Sequence, residues 1–468
     1  MTAAPGNITD WYKTKVDRMG RIEGVFIEKL GFTSATLFLS PKELNSYSNQ
    51  VMVIVSVILL SNWCNSIHIV IPEDQTCIVP GFQGKSIKSI VESLIKDNDD
   101  EVNFEFHAKY EIVTDVILSV GEPAYDIKNA IWMEGEGWIS GYGRTLKTYR
   151  RLSKKDYVNP IGPVFSACLA HAALFKTMFN IEKKNSFSKW FSLFNYQDSD
   201  SDPLSLSSPD IPEDINFGNI FQVGCGAVGS SFDFILSLTN FHGRFSLIDF
   251  DSVEPPNIIS SLLFTKQDAL RKQKKVEICA GALSNSICKP SPFDGDYSDF
   301  IQQSAYAKNY PDLILCFANE HNIWSTIQYN YPPVVLHATT TSNWGVNYGR
   351  HLPLKDWCIV CRFGVEQLPT TPICAEGVMN SPEPSEKPAL GILPFLSPAS
   401  AIITLAELVK YNIMIETAPE NFIEFSMKSK GNSTFRSLQM PKKVDCPGCS
   451  TLYEDIYKAF LTKSKYTL

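Results

Sequence analysis

The stretch from Asn219 to Lys275 constrains this chain more than any other, and it opens NIFQVGCGAVGSSFDFILSLTNFHGRFSLIDFDSVEPPN. Ile220 to Val223 read as a buried strand, Gly224, Gly226 and Gly229 as a glycine turn, Ser230 to about Asn240 as a helix, and Arg244 to Phe250 as a second strand. That second strand ends in two acids, Asp249 and Asp251. Each glycine has a physical task. Gly224 allows a tight turn, Gly226 lets a phosphate approach the backbone beside Ala227, and Gly229 lets helix and strand pack closely. The free N–H groups and the positive end of the helix dipole then face an anion. A glycine pattern alone is weak, but the preceding strand, the following helix and acids about 20 residues further on supply the context of a nucleotide site.

A dinucleotide dehydrogenase usually ends its second strand in one acid and continues into another βαβ unit. Here the chain reads D-F-D-S-V-E-P-P-N and then K-K-V-E. Over about Phe217 to Tyr453 it resembles the adenylation domain of ubiquitin-like-protein activating enzymes and their ThiF/MoeB relatives. The resemblance implies ATP with Mg2+ at this loop, ribose hydroxyls and triphosphate held by Asp249, Asp251 and Asn257, phosphate contacted by Lys275, and Asn319 in its family place. A lysine ammonium is a compact charge suited to phosphate oxygens as pyrophosphate leaves.

The chain departs from the family in two places. Ser260 and Ser261 stand where it has an arginine and a glutamine, and Ala318 stands in the slot of an aspartate that ends a strand. Glu320 or Asp312 are the carboxylates that could replace it. Both departures touch catalysis, so an atypical or inactive adenylation site is an alternative reading.

Cys358-Ile-Val-Cys361 and Cys446-Pro-Gly-Cys449 form two C-x-x-C knuckles. Each two-residue spacer lets both sulfurs meet one tetrahedral ion, which points to structural Zn2+ with no position left for chemistry. A further cysteine, Cys374 in T-T-P-I-C-A-E-G-V-M, lies in loop-like sequence and matches the family's crossover cysteine. The resemblance implies that it takes the activated carboxyl as a thioester. A thiolate is the most effective protein nucleophile near neutral pH, although Glu376 two positions on would tend to raise its pKa.

The first half alternates strand and helix signals: strands at Ala35 to Leu39, Ser66 to Ile71, Val102 to Phe106 and Ile112 to Ser119, with helices at Pro41 to about Trp63, near Ser86 to Lys96, and at Pro163 to about Phe179. Its first strand runs into L-S-P-K-E-L without a glycine, so that turn cannot cradle phosphate. This half resembles the inactive, pseudo-symmetric adenylation domain that activating enzymes pair with the active one, so the expected fold is α/β, with two Rossmann-like adenylation domains, the first inactive and the second active, and a zinc knuckle. A serine-, proline- and acid-rich stretch from Asn185 to Asp214 reads as a linker or surface loop, which divides the chain into residues 1–207 and 208–468.

With 468 residues, 44% of them hydrophobic, the chain can bury large cores. The net charge of −8 argues against a nucleic-acid partner. The most apolar run, Val51 to Leu60, is too short to span a bilayer and reads as a buried helix. The first residues carry no apolar core of signal-peptide length, so a cytoplasmic location is expected, and 12 cysteines there favour thiols and metal ligands over disulfides. Cys64, Cys77, Cys168, Cys279, Cys288 and Cys316 read as core, and Cys225 fills a variable slot in the glycine loop.

Among activating enzymes, the fused halves are most like the bacterial Bil-type two-domain members. The implied reaction is adenylation of the C-terminal carboxylate of a ubiquitin-like protein, thioester formation on a cysteine, and transfer to a conjugating enzyme, with a homodimer possible and no membrane or nucleic-acid partner. The alternatives are adenylation for sulfur or peptide transfer without a conjugating enzyme, and a catalytically dead scaffold.

Overall fold

A computed structural model of the chain describes residues 9–22, 25–39, 44–109, 114–122, 130–144, 146–155, 158–179, 181, 187–318, 321–341, 343–358, 360–361, 391–413, 420–428, 434–444, 446, 448–449 and 454–466. The first half builds on β1 (Ser34–Leu39), β2 (Ser66–Val70), β3 (Asn103–His107) and β4 (Val116–Val120), all parallel. β5 (Ile131–Glu136) continues this parallel run, and an antiparallel extension follows: β6 (Ile139–Arg144), β7 (Phe187–Ser192) and the two-residue β8 (Asp198–Ser199). The strand order is β3-β2-β1-β4-β5-β6-β7-β8. The second half repeats it with β9 (Asn216–Val223), β10 (His242–Asp249), β11 (Lys289–Asp294), β12 (Leu313–Cys316), β13 (Val334–Thr341), β14 (Gly345–His351), β15 (Phe422–Ser426) and β16 (Phe435–Leu438), in the order β11-β10-β9-β12-β13-β14-β15-β16.

The helices of the first half are α1 (Asp10–Gly20), α2 (Ile27–Phe32), α3 (Tyr47–Ser61), α4 (Ile87–Asn98) and α5 (Ile161–Met178); α3 and α5 share one face of the first sheet, and every residue of the largely apolar α3 is buried. The second sheet does the same with α6 (Ala227–Ser237) and the helix Leu396–Asn412, and α7 (Pro255–Ile258), α8 (Lys266–Arg271) and α9 (Lys275–Ser284) lie between β10 and β11. Because α5 packs on Leu396–Asn412, one continuous core runs through both halves. α5 is long and apolar enough to cross a membrane by length and composition, but 94% of it is buried inside the protein.

Three expectations change. The helix after the glycine turn begins at Ala227, three residues before Ser230, because Gly226 is its N-cap. Gly229 therefore lies in the first helical turn, where a Cβ would stand 2.2 Å from the Gly224 carbonyl oxygen. Strands β5 and β6 were not expected, and two glycines of β6 seat indole rings: a Cβ on Gly141 would fall 2.1 Å from Trp190, and one on Gly143 would fall 2.4 Å from Trp132. The stretch expected to be a linker contributes β7 and β8 to the first sheet, and Trp138 bonds to its end, the indole N–H donating to the Pro209 carbonyl at 2.8 Å. Every described cysteine is buried, including the six read as core.

Candidate functional site

The carboxyl ends of β9, β10 and β12 converge on the glycine turn. Gly224 has φ +99°, a conformation favouring glycine, and a Cβ there would meet the Ala318 backbone nitrogen at 2.6 Å. Gly226 differs. It caps α6, and among the described residues no side chain bonds the exposed N–H groups and a Cβ built on it would meet nothing within 4 Å. Among the described residues the turn therefore presents an open helix N-terminus, the shape an anion fills. In the first half the corresponding helix is closed: the Ser46 side chain accepts the Asn49 N–H at the start of α3, and the Ser48 hydroxyl donates to the buried Glu136 carboxylate at 2.6 Å. That end already has its oxygen acceptors.

The two acids have different surroundings. Asp249 is engaged by the protein: one carboxylate oxygen accepts the Cys225 N–H at 2.7 Å, and the other accepts the Asp251 N–H at 2.8 Å. It braces the glycine turn against β10. Burial raises its pKa, opposed by Lys275 and these N–H groups. Asp251 has its carboxylate half-exposed and bonded by the Lys275 ammonium at 2.7 Å. Lys275 opens helix α9 (Lys275–Ser284), is 7% exposed, and also donates its backbone N–H to the Asp251 carbonyl at 3.1 Å. Two contacts thus aim its ammonium toward the turn, while the neighbouring Lys274 is drawn aside to Asp294 at 2.9 Å. Asn257 closes a capping box with Glu254 at the short helix Pro255–Ile258, its side-chain oxygen accepting the Glu254 N–H at 2.9 Å.

The departures have local structural explanations. Ser261 is buried, its hydroxyl 2.8 Å from that of Ser230 on α6 and accepting the Leu263 and Phe264 N–H groups at 3.0 and 3.2 Å. Ser260 is equally buried. Asn62 of the first half donates to the carbonyls of Ile259 and Ser261 at 3.1 and 3.4 Å, so this turn is a joint between the halves. Ala318 lies beside the glycine turn, and its N–H donates to Val223 at 2.9 Å. Asp312 cannot replace the missing acid, because it precedes β12 at the opposite end of that strand and accepts the Asn219 and Lys465 N–H groups at 2.8 and 2.5 Å. Asn319, Glu320 and Cys374 lie outside the described residues.

One cluster escaped the sequence reading. Asp233 of α6, Cys225 of the turn and Cys279 of α9 meet in the core beneath the glycine loop, and the Gln222 amide donates to Asp233 at 2.9 Å. Burial raises the Asp233 carboxyl to about 7. The signal was an acid between two phenylalanines, FDF, the single charge on its helix.

The four sulfurs of Cys358, Cys361, Cys446 and Cys449 are brought together. Cys358 lies 3.7 Å from Cys361 and 3.5 Å from Cys446, and Cys361 lies 3.3 Å from Cys449. All four are buried against Trp357, Val360 and Phe422. Tetrahedral zinc with bonds of about 2.3 Å would set its sulfurs about 3.8 Å apart, so the donor set fits that ion.

Two pseudo-symmetric, parallel-rich α/β sheets, one with an open glycine turn at its strand ends, define a Rossmann-like protein of the ThiF/MoeB type. The chain belongs to the ThiF family, whose model matches residues 203–448. The model of the BilD N-terminal domain matches residues 34–190, and the pairing bears out the resemblance to Bil-type activating enzymes. Similar solved structures include Escherichia coli MccB with MccA-N7isoASN, at 19% identity over 50% of this chain and 67% of that one, with a TM-score of 0.38. The Microcin C7 biosynthetic enzyme MccB in complex with N-formylated MccA gives 18%, 50%, 67% and 0.38. E. coli MccB with ATP gives 19%, 50%, 67% and 0.37. The chain thus spans about two thirds of the length of these MccB chains. No curated protein matches the chain.

Proposed function

We propose that the second half binds ATP at the Gly224–Gly229 turn and adenylates the C-terminal carboxylate of a ubiquitin-like protein. The observation that carries this reading is the contrast between the two halves: α6 has an open, glycine-capped N-terminus with Lys275 and Asp251 beside it, whereas α3 is closed by Ser46, with Glu136 bonded to Ser48. A carboxylate oxygen attacks the α-phosphorus, the bond to the bridging oxygen breaks, and pyrophosphate leaves with that electron pair. Lys275 neutralises charge that grows on the departing phosphates. Asp251, Asn257 and Asn319 are the residues proposed for ribose and triphosphate, while Asp249 acts by fixing the turn. Magnesium would enter with the triphosphate, and Asp251 is the half-exposed carboxylate beside the turn. Zinc, held by the four cysteines, would tie the Trp357 segment to the C-terminal tail and do no chemistry.

In the finer reading, the Cys374 thiolate then attacks the acyl carbon, AMP leaves, and the thioester passes to a conjugating enzyme. A scaffold that binds nucleotide without turnover is the second reading, favoured by Ser260 and Ser261 locked in internal bonds and by Ala318 beside the turn.

Pyrophosphate exchange by the full chain with ATP, Mg2+ and its carrier protein tests these readings. Exchange is expected, reduced about 100-fold in Lys275→Ala. A titration showing no ATP binding would sink the nucleotide assignment. ATP binding without exchange would favour the scaffold. A thioester adduct that persists in Cys374→Ala would move the acyl acceptor elsewhere.

A further inference from the structure

The first sheet carries a cluster that the adenylation reading does not use. On β2 and β3, alternate residues divide between two faces. Ile67 and Ile69 point into the main core, and Phe104 and Phe106 pack beside it against helix α4 (Ile87–Asn98), with Lys96 and Lys88 lying 5.9 and 6.0 Å from their rings. His68, Glu105 and His107 therefore share the other face. The parallel register sets His68 opposite Glu105 and Val70 opposite His107, so His107 is the diagonal neighbour of His68. The pairing is held past the strand end by the Ile71 N–H donating to the His107 carbonyl at 2.9 Å.

The three side chains converge on a point. His68 Nδ1 and His107 Nε2 stand 3.1 Å apart, and Glu105 Oε2 is 3.8 Å from the first and 3.6 Å from the second. The two rings are within hydrogen-bond distance of each other, whereas the carboxylate distances are too long for hydrogen bonds, so Glu105 is not part of a bonded triad. They suit an ion between the groups: with metal–nitrogen bonds of about 2.0 to 2.1 Å, two imidazoles at octahedral to tetrahedral angles place their nitrogens about 2.9 to 3.4 Å apart. Glu105 is 70% exposed and needs only a small turn to close the remaining gap, whereas both imidazoles are three-quarters buried and anchored on paired strands. β3 is the sheet edge, which leaves the open side to water or to a ligand from a partner.

We propose that His68, Glu105 and His107 form a binding site for a divalent transition ion such as Zn2+ on the outer face of the first sheet. Imidazole nitrogen and carboxylate oxygen are borderline to hard donors, so this site differs in kind from the four-thiolate cluster of the second half. Three protein ligands leave at least one coordination position open, unlike a closed structural site.

The test uses the full chain, with its cysteine cluster preloaded with Zn2+, titrated with Co2+. One equivalent should bind with visible ligand-field bands and no sulfur-to-cobalt charge-transfer band. Its affinity should fall roughly tenfold or more in His68→Gln and in His107→Gln. Glu105→Gln, at an exposed position, provides a variant with little risk to folding and should weaken binding in the same direction. The proposal is overturned if Co2+ binds wild type only with sulfur charge-transfer bands, if no equivalent binds, or if sulfur-free binding persists unchanged in the double His variant. The first two outcomes need no variant. All are independent of whether ATP binds the second half.

Discussion

Asp233 shows what a single residue contributes beneath the glycine loop. It is fully buried with two thiols and the Gln222 amide around it, and no cation faces it among its described partners. Burial holds its carboxyl near 7 in the folded protein, whereas an unfolded aspartate titrates near ~3.9. Between these values the folded state holds a proton that the unfolded state has released. This contribution to stability is full below the unfolded value, falls as pH rises toward 7, and is flat above. Asp233→Asn removes the dependence. Its stability relative to wild type should therefore improve by about 2 to 3 kcal/mol between pH 5 and pH 8, as read from urea unfolding midpoints. An unchanged difference across that range would mean that the carboxylate is compensated. The acid was visible in the sequence as FDF, the single charge on its helix. Its partner Cys279 was not, because nothing local brings residues 233 and 279 together.

At the scale of elements, strand, turn and acid-ended strand were legible because each rests on local chemistry: an apolar run, glycines at fixed spacing, and two charged residues at a strand end. The start of α6 was misplaced because Gly229 reads locally as turn and only its packing over Gly224 shows it to be helical. β6 was missed for the same reason, since its Gly141 and Gly143 make room for Trp190 and Trp132, the first of them from a strand some fifty residues on, and β5, its hairpin partner, was missed with it. The turn's glycines now separate by task. Gly224→Ala forces a side chain into φ +99° and against the Ala318 backbone, which should cost about 1 to 3 kcal/mol or more and disturb the fold. Gly226→Ala meets nothing within 4 Å among the described residues, so its stability should stay within about 0.5 kcal/mol of wild type. Its ATP affinity should nevertheless fall roughly tenfold or more, because the added methyl occupies the approach of the phosphates. Equal ATP affinity in Gly226→Ala and wild type would mean that nucleotide does not approach the turn from that side.

Across the whole molecule, the division at residue 207 follows composition, but the core does not divide there. α5 is apolar on every side, and such a helix needs neighbours all round. Part of its cover comes from the other half of the chain: the Phe165 ring lies 5.2 Å from Phe425 and 5.7 Å from Phe435 of the second sheet, and Phe175 lies 5.5 Å from Phe395. Polar contacts repeat the pattern, with Tyr47 donating to the Leu238 carbonyl at 2.9 Å and Lys266 reaching Asp100 and Glu101 at 2.6 and 2.9 Å. The sequence contained the apolar helix but not its partners, since contact between residues 165 and 425 is fixed only when both sheets exist. Two halves that share one core should unfold together. Phe165→Ala removes a ring at this shared centre and should cost about 3 to 5 kcal/mol, a loss that belongs to both halves at once. Scanning calorimetry is then expected to show one transition in wild type, and in Phe165→Ala one transition moved to lower temperature with intrinsic fluorescence and far-ultraviolet ellipticity still changing in step. A first transition that shifts while a second stays fixed would instead make the halves independent folding units joined only at their surfaces.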